Sequence, residues 1–292
     1  MKQTIAGVFD LWLPERPVAP VVFDSPHSGA DYPADFDTIA PESRLRRAED
    51  MFVDDLFDSA PTAGVAMLAA LFPRSYIDPN RALQDIDRRL IDGVWPADLR
   101  MSEKSRLGHG LIWRICPPDT PMYGRKLAVA EVQARIQDYY RPYHRALRYA
   151  IERMLDRFGQ VYHVNCHSMP AVSSPMMMLS NGARRRADFV LGDRDGTSSS
   201  PDFTRLVRET LEGMGYAVAV NDPYKGVELV RAYSDPMAGR HSLQIEISRA
   251  LYMDEDSFRP SKNYARLKAD INSLVAAVCD YAGAQALPRA AE

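Results

Sequence analysis

Two histidines occupy matched positions in the sequence, each after an apolar segment and directly before a serine. His27 lies in Ser-Pro-His-Ser-Gly at 25–29, and His167 lies in Asn-Cys-His-Ser-Met-Pro at 165–170. Two neutral imidazoles, one carboxylate and a water molecule form a common hydrolytic zinc site. The shared context predicts that both histidines bind one metal ion. The alternative for each histidine alone is a hydrogen-bonded loop residue.

The third metal ligand should be acidic, but no His-x-x-Glu motif supplies it, because residue 30 is alanine. The first predicted helix offers Glu49, Asp50 and Asp54. Asp50 and Asp54 are four residues apart and would share one face of that helix. We predict Asp50 as the ligand, with Glu49 and Asp54 as alternatives. The competing interpretation is that each of these carboxylates is simply solvated.

Glu246 lies within the apolar segment Leu-Gln-Ile-Glu-Ile at 243–247, where a charge is costly unless it is paired or functional. Near a metal ion it would act as general base on the attacking water and then donate the proton to the leaving amine. The alternative is that strand alternation turns Gln244 and Glu246 to solvent. We therefore predict Glu246 as the candidate base.

Arg81 and Arg74 are the arginines best placed to bind an anionic group. Arg81 follows Asn80 at a predicted strand end, and a guanidinium binds a carboxylate in a planar two-point arrangement. Arg74 lies seven residues earlier and would polarise a scissile carbonyl or stabilise its oxyanion. Four other arginines compete for these roles: Arg88, Arg89, Arg114 and Arg125.

Strand and helix patterns alternate along the chain, which predicts an α/β fold with a largely parallel sheet. The predicted strands cover 20–24, 64–71, 76–77, 111–115, 160–166, 216–220 and 243–247. The predicted helices cover 42–60, 127–158, 202–214 and 261–282, the last packing on one sheet face. Pro142 should kink or divide the second of these helices. Ligands bind beyond the carboxyl ends of parallel strands, which is where His27, Asn80 with Arg81, and His167 fall.

The composition is that of an ordinary globular protein, with 46% hydrophobic and 26% charged residues in 292. A net charge of −3 offers no basic excess for nucleic acid, and no apolar run is long enough to span a membrane. Three scattered cysteines and the absence of a signal-peptide pattern favour a cytoplasmic location. No linker divides the chain, so we expect a single domain over 1–292. The sequence indicates no oligomeric state.

Several motifs, taken in order from about residue 20 to 255, resemble those of the N-formylglutamate amidohydrolase family. They are Ser-Pro-His-Ser-Gly at 25–29, Asp50-x-x-x-Asp54, Asp-Pro-Asn-Arg at 78–81, Pro-Tyr-His at 142–144, Cys-His-Ser-Met-Pro at 166–170, Leu-Gly-Asp-Arg at 191–194 with Gly-Thr at 196–197, Asn-Asp-Pro-Tyr at 221–224 and Gln-Ile-Glu-Ile at 244–247. The resemblance implies a single α/β domain similar to zinc carboxypeptidases and aspartoacylases. Its mixed, largely parallel central sheet would be covered by helices on both faces.

The resemblance also implies an activity: zinc-dependent hydrolysis of N-formyl-L-glutamate to formate and L-glutamate, with a place in histidine catabolism. The implied roles are metal ligation by His27 and His167, carboxylate binding by Asn80 and Arg81, carbonyl polarisation by Arg74, and general base catalysis by Glu246. The acidic ligand does not transfer by motif, so Asp50 depends on its position alone.

Two departures from the family pattern concern specificity and the metal site. Residues 225–234 read Lys-Gly-Val-Glu-Leu-Val-Arg-Ala-Tyr-Ser, where the family usually shows a glycine pair and a His-Tyr-Gly run. Asn165 stands where the family often carries an acidic residue. The alternatives are therefore a deacylase or carboxypeptidase acting on another N-acyl amino acid or small peptide, or a metal-free carboxylate-binding protein of the same fold.

Overall fold

The computed structural model describes residues 1–171 and 187–286, which are arranged around an eight-stranded sheet. In chain order its strands are β1 (Lys2–Ile5), β2 (Phe9–Trp12), β3 (Val21–Ser25), β4 (Ala66–Ala70), β5 (Val161–Met169), β6 (Phe189–Gly192), β7 (Val218–Val220) and β8 (Arg240–Ser248). Across the sheet the order is β1-β2-β4-β3-β5-β8-β6-β7.

The centre of the sheet is parallel and its flanks are mixed. The neighbouring pairs β4–β3, β3–β5 and β5–β8 are parallel, as is β6–β7. The pairs β1–β2, β2–β4 and β8–β6 are antiparallel. The prediction of a mixed, largely parallel sheet is therefore confirmed. Parallel neighbours need long crossover connections, which the helices supply.

The α-helices are α1 (Glu42–Ala48), α2 (Val53–Leu56), α3 (Ser59–Thr62), α4 (Glu103–Arg106), α5 (Val129–Arg135), α6 (Arg141–Phe158), α7 (Pro201–Gly213), α8 (Glu228–Tyr233) and α9 (Tyr264–Gln285). A π-helical turn spans Ile136–Tyr140, and 3₁₀ turns span Arg88–Leu90, Pro236–Ala238 and Arg249–Leu251. Three small ladders pair Ile91–Asp92 with Leu127–Ala128, Ile115–Cys116 with Thr120–Pro121, and Met253–Asp254 with Arg259–Pro260.

Helices cover both faces of the sheet, because the alternation of side chains along each strand creates two apolar surfaces. Val22 on β3 belongs to the core that includes Leu147 of α6. Its neighbour Phe23 belongs to the opposite core, which includes Ile271 of α9. Each such large apolar side chain contributes roughly 1.5–3 kcal/mol when it is fully buried. The two cores hold the central strands rigidly between the helix layers.

A row of buried polar side chains crosses the three central strands on the α6 side of the sheet. The strand register pairs Asp24 with Asn165, His163 with Ser242, Asn165 with Gln244, and His167 with Glu246. All of these residues are buried. Buried polar groups cost free energy unless they are hydrogen-bonded, so a continuous row of them within the sheet indicates a built site.

The predicted helix over 42–60 is wrong as one element, because three short helices replace it. Glu49 adopts extended backbone after α1, and Phe52 has a left-handed φ of 65° before α2. Arg249 donates hydrogen bonds to the carbonyls of Arg47 and Glu49, which satisfies backbone groups that a continued helix would use. Asp50 therefore lies between two helices and does not share a helix face with Asp54.

Two predicted strands are also absent. Residues 76–77 and 111–113 are buried loop segments outside any described strand. They are joined by single hydrogen bonds, such as the one from the Asp78 N–H to the Leu111 carbonyl, 2.8 Å. Burial of their apolar side chains does not require a ladder, so apolar pattern alone misassigned them. His167 lies inside β5 rather than after it. Strands β1, β2 and β6 have no counterpart among the predicted strands.

The long helices match their predictions. The π turn at Ile136–Tyr140 separates α5 from α6 just before Pro142, so the expected division of this helix is confirmed. α6 ends at a left-handed Gly159 with φ of 77°, a conformation that glycine adopts without steric cost. α7 and α9 confirm the predicted helices at 202–214 and 261–282. No helix in 1–171 or 187–286 combines the length and apolarity needed to cross a bilayer.

Candidate metal and catalytic site

The loop that carries His27 leaves β3 and packs directly against the chain after β4. A Cβ atom at Gly29 would lie 2.3 Å from the carbonyl carbon of Leu71 and 2.5 Å from the Phe72 oxygen. Only glycine allows this close approach of two backbones. The Ser28 hydroxyl donates to the Asp50 carbonyl, 3.1 Å. The sequence Ser-Gly after His27 thus fixes the imidazole beside Asp50.

His27, Asp50 and His167 form one buried cluster. Asp50 Oδ2 lies 2.9 Å from His167 Nδ1 and 3.3 Å from His27 Nδ1. Each residue offers a ligand atom, and these atoms all lie within 4.8 Å of one another. Among residues 1–171 and 187–286 this is the only such group of three metal-ligating side chains. The three residues predicted as metal ligands are therefore brought together.

The outer nitrogen of each imidazole is held by a side chain of the surrounding fold. His27 Nε2 lies 2.7 Å from Asp78 Oδ1, and His167 Nε2 lies 2.7 Å from Asn165 Oδ1. With a metal ion bound, both Nε2–H groups would donate to these oxygens and leave the Nδ1 lone pairs free to ligate the ion. Metal-binding histidines commonly have this support. Burial lowers the pKa of His167, which favours the neutral imidazole that a metal requires.

Asp50 is a buried carboxylate surrounded by positive and hydrogen-bonding groups. Its Oδ1 lies 3.2 Å from Arg249 Nη2 and 3.8 Å from Arg74 Nη1. Burial by itself would raise the pKa of Asp50, but hydrogen bonds from His167 and His27 and the charge of Arg74 hold that pKa well below its usual value. The carboxylate is therefore ionised and available as a ligand.

The alternative acidic ligands point elsewhere. Glu49 accepts a hydrogen bond from the Tyr32 hydroxyl and lies 2.8 Å from Arg46 Nη1. Burial raises the pKa of Glu49 to about 7. Asp54 lies on α2, where its backbone N–H donates to Ser28 Oγ, 3.2 Å, and burial raises its pKa. Neither carboxylate belongs to the cluster of ligand atoms.

Glu246 lies next to this cluster within the sheet. It is paired in register with His167 across β5 and β8 and is 8% exposed. Its Oε1 accepts a hydrogen bond from Gln244 Nε2, 2.9 Å. The interpretation that strand alternation turns Gln244 and Glu246 to solvent is wrong, because helices cover this face of the sheet and both side chains are buried.

Arg74 and Asn80 also reach the site. Arg74 Nη2 donates to Asp78 Oδ2, 3.0 Å. Asn80 Nδ2 lies 3.1 Å from His167 Nε2, and its Oδ1 accepts from the Leu229 N–H, 2.9 Å. Leu229 belongs to α8, inside the segment 225–234 that departs from the family pattern, so this segment contacts the site through Asn80.

The Arg81 side chain is held by backbone carbonyls. Its Nε donates to the His109 carbonyl, 3.1 Å, and its Nη1 to the Asn80 carbonyl, 2.9 Å. Its role with Asn80 in binding a carboxylate stays a prediction. Three of the four competing arginines have other partners: Arg89 and Arg114 bind Asp87, and Arg125 binds Asp37 and Glu131.

Asp78 and Arg249 are central to this geometry, although no role was predicted for either residue. Asp78 binds His27 and Arg74 at the same time. Arg249 bridges Asp50 Oδ1 and Ser168 Oγ, 3.2 and 3.0 Å. The signal for Asp78 was its place in the motif at 78–81. Arg249 stands after an apolar strand, where nothing in the sequence separates it from a surface arginine.

Asp24 anchors the support of His167 through Asn165. Its Oδ1 lies 2.9 Å from His163 Nε2 and accepts from Asn165 Nδ2, 2.7 Å, while its Oδ2 accepts from the Tyr143 hydroxyl, 2.7 Å. Because Asn165 Nδ2 faces a carboxylate, its Oδ1 must face His167. Burial by itself would raise the pKa of Asp24, but the interaction with His163 and these hydrogen bonds lower it.

We expect Asp24→Asn to destabilise the fold by about 3 kcal/mol at pH 7, because it removes a buried charge with three hydrogen-bonded partners. The pKa of Asp24 is lower in the folded state than its usual 3.8, so its stabilisation is complete above that value and is lost as the pH falls through the folded pKa. Urea unfolding at several pH values measures this. If wild type stays more stable than Asp24→Asn by the same free energy of unfolding at acidic pH, Asp24 is not an ionised, buried carboxylate.

Comparison with known proteins agrees with these features. The family model described as N-formylglutamate amidohydrolase matches residues 19–253. N-formylglutamate deformylase of Pseudomonas putida is 29% identical over 244 residues, which cover 81% of this chain and 82% of that protein. N-formylglutamate deformylase of Pseudomonas aeruginosa is 27% identical and covers 83% and 85%, respectively.

Solved structures show the same relationship. The crystal structure of N-formylglutamate amidohydrolase from Ralstonia eutropha JMP134 is 49% identical and superposes with a TM-score of 0.91, covering 94% of this chain and 98% of that chain. A gene product of Agrobacterium tumefaciens, at 18% identity and a TM-score of 0.64 over 90% of this chain and 91% of its own, shares the fold. The resemblance in the motifs is confirmed, and this chain belongs to the N-formylglutamate amidohydrolase family.

Proposed function

We propose that this protein hydrolyses the formyl amide bond of N-formyl-L-glutamate to give formate and L-glutamate. The observation that carries the proposal is the buried group of His27, Asp50 and His167 with Glu246 beside it in the sheet. The names of the curated relatives and of the Ralstonia structure support this substrate. The shared family supports the same class of reaction.

The donor set fits a zinc ion. Two imidazole nitrogens and one carboxylate oxygen, with a position left open for other ligands, are typical of catalytic zinc sites. His27 and His167 would bind through Nδ1, and Asp50 through Oδ2. A zinc ion held there would act as a Lewis acid towards the carbonyl and the water. The anchoring of both outer nitrogens by Asp78 and Asn165 supports this assignment.

The remaining steps belong to side chains of the chain itself. The Glu246 carboxylate would accept a proton from the water while the water oxygen attacks the formyl carbon. As the carbon–nitrogen bond breaks, Glu246 would donate that proton to the leaving amine nitrogen. Arg74, whose guanidinium is fixed by Asp78, would stabilise the oxyanion. Asn80 and Arg81 would hold a substrate carboxylate and so orient the scissile bond.

We also propose that the enzyme acts in the cytoplasm on a small-molecule substrate. The three cysteines, Cys116, Cys166 and Cys279, are free and buried, as expected of a protein in a reducing compartment. The site lies among buried side chains of the sheet, which suits a small amino acid derivative.

Formate release from N-formyl-L-glutamate tests the reaction and its metal dependence together. We expect zinc-loaded protein to release formate, and protein treated with a chelator to lose essentially all turnover and to regain it when zinc is returned. Formate can be measured with a coupled dehydrogenase assay. Full activity in protein shown to be free of metal would contradict the zinc assignment. No release from zinc-loaded protein would contradict the substrate.

A second candidate substrate class follows from the segment 225–234. Its Leu229 N–H binds Asn80, which lies beside His167, so a change in this segment reaches the site. The candidate is therefore a deacylase or carboxypeptidase acting on a different N-acyl amino acid or a small peptide. A panel of N-formyl and N-acetyl amino acids and dipeptides distinguishes it from the first proposal by the substrate with the highest kcat/KM.

A further inference from the structure

Two buried ring nitrogens beside the site have no hydrogen-bond partner within 1–171 and 187–286. They are Nε1 of Trp113 and Nε2 of His109. Trp113 is 4% exposed, so its indole N–H is removed from bulk water. Buried N–H groups are almost always paired in folded proteins. An indole N–H can only donate, so it needs an acceptor, which a bound ligand or an ordered water would supply.

Both residues belong to a segment that is tied to the site. The Asp78 N–H donates to the Leu111 carbonyl, 2.8 Å, and Arg81 Nε donates to the His109 carbonyl, 3.1 Å. The centroids of the His109 and Trp113 rings lie 5.2 Å apart. The Arg74 guanidinium carbon lies 5.4 Å from the centroid of Trp113. The unpartnered nitrogens therefore lie next to the residues that surround the metal-binding group.

The charge around these rings is positive. Burial and the nearby charges of Lys104, Arg74 and Arg81 lower the pKa of His109 to about 4, against the opposing effect of Asp78. Lys104 is placed by the hydrogen bond from the His109 N–H to its carbonyl, 2.8 Å. Unlike Arg74, Lys104 forms no ion pair with a described residue. A neutral imidazole and an indole thus lie together, and the exposed Lys104 is near enough for its charge to act on the imidazole.

A substrate with two carboxylates needs more donors than Asn80 and Arg81 offer. Asn80 Oδ1 already accepts from the Leu229 N–H, so only the Nδ2 group of Asn80 can donate to a substrate. Arg81 Nε and Nη1 already donate to backbone carbonyls. A carboxylate accepts several hydrogen bonds, and it is stabilised most by charged or preoriented donors. Trp113 and His109 add ring nitrogens that, like Arg74 Nε, have no hydrogen-bond partner among the described residues, and Lys104 adds an ammonium group.

We propose that Trp113, His109 and Lys104 form a subsite for one of the two carboxylates of an acidic N-acyl amino acid. This inference rests on the proposed function and deepens it, because it explains why such an enzyme would prefer glutamate over a neutral amino acid. The indole N–H and the imidazole would donate to the carboxylate oxygens, and the Lys104 ammonium would supply the opposite charge. Arg74 would remain bound to Asp78 and Asp50.

The test compares N-formyl-L-glutamate with its two monoamides, N-formyl-L-glutamine and the α-amide N-formyl-L-isoglutamine, each of which keeps one carboxylate. Trp113→Phe keeps an aromatic ring but removes the indole N–H. Lys104→Met keeps a long unbranched side chain but removes its charge. We expect wild type to prefer the dicarboxylate over at least one amide in kcat/KM. Each variant should reduce that preference by about tenfold or more. The amide whose disadvantage shrinks identifies which carboxylate the subsite binds.

The matched control is Lys2→Met, on edge strand β1, where Lys2 pairs with Asp10 and lies over Trp12. It should leave every ratio unchanged. Equal losses on all three substrates in Trp113→Phe and Lys104→Met would mean that these residues only support the fold, which would overturn the proposal. An unchanged ratio in both variants would overturn it as well.

Binding of the product-like ligand L-glutamate separates this inference from the proposed function. If wild type releases no formate from any of the three substrates, the proposed function fails, and calorimetry still tests the subsite. About tenfold weaker binding of L-glutamate by both variants, without a similar change for at least one of L-glutamine and L-isoglutamine, would support the subsite. Equal binding by wild type and variants, or no binding by wild type, would overturn it.

Discussion

Glu246→Gln is expected to lower kcat for the formylated substrate by about 10²- to 10⁴-fold, the usual contribution of a positioned general base. The change keeps the size of the side chain in β8 and removes its ability to accept a proton. Because Glu246 is not one of the clustered ligand atoms, the variant should bind zinc and fold as wild type does. Steady-state formate release, metal analysis and a thermal unfolding curve measure these three properties.

A surface glutamate provides the control for this experiment. Glu209 on α7 is 60% exposed at its side chain and lies 4.0 Å from Arg205, so Glu209→Gln should leave turnover unchanged. The pH dependence gives an independent readout, because loss of the base should remove the acidic limb of the kcat/KM profile. Turnover by Glu246→Gln equal to that of wild type would exclude Glu246 as the base.

Asp50→Asn is expected to weaken zinc binding by more than about 100-fold, since replacing only the outer partners of metal ligands already costs about 10- to 100-fold. It should also destabilise the metal-free protein by about 3–5 kcal/mol. The physical reason is that Arg249 and Arg74 would lose the buried charge that lies 3.2 and 3.8 Å from them. Zinc titration calorimetry and urea unfolding of the metal-free protein measure the two effects.

The controls are the two other carboxylates that the sequence offered. Asp54→Asn and Glu49→Gln alter residues outside the cluster, so zinc affinity should stay within about threefold of wild type. Glu49→Gln also replaces a group whose pKa burial has raised to about 7, and it leaves the charge of Asp50 intact. Loss of zinc binding in either control, with retention in Asp50→Asn, would show that the acidic ligand is misassigned.

Several parts of the site were accessible from local sequence because their position follows from a strand and the turn after it. His27 lies two residues after β3, and His167 and Glu246 lie near the carboxyl ends of β5 and β8. Parallel strands place such positions at one edge of a sheet. The pairing of His167 with Glu246 followed once the two strands became neighbours.

Other parts depended on contacts between distant segments. Asp50 joins the histidines for a reason that its local sequence does not show, because the expected shared helix face with Asp54 does not exist. Its selection comes from Arg249, about 200 residues later in the chain, which binds both its side chain and the preceding carbonyls. The position of the Asp78 side chain likewise depends on its contacts with His27 and Arg74. The local sequence around a loop carboxylate does not indicate whether that carboxylate is solvated or buried.

The sequence by itself determined the alternating strand and helix pattern, the long helices α7 and α9, the two histidines, and the family motifs that name the reaction class. These features depend on periodicity and on residues close in the chain, where local sterics and hydrophobic alternation act. Only the tertiary structure decided which carboxylate joins the histidines and why Asp24 and Asn165 orient His167. It also decided that one ring nitrogen each of Trp113 and His109 has no hydrogen-bond partner among the described residues. Those outcomes depend on buried charges and hydrogen bonds, whose free energy is set by neighbours that strand order and long loops bring together.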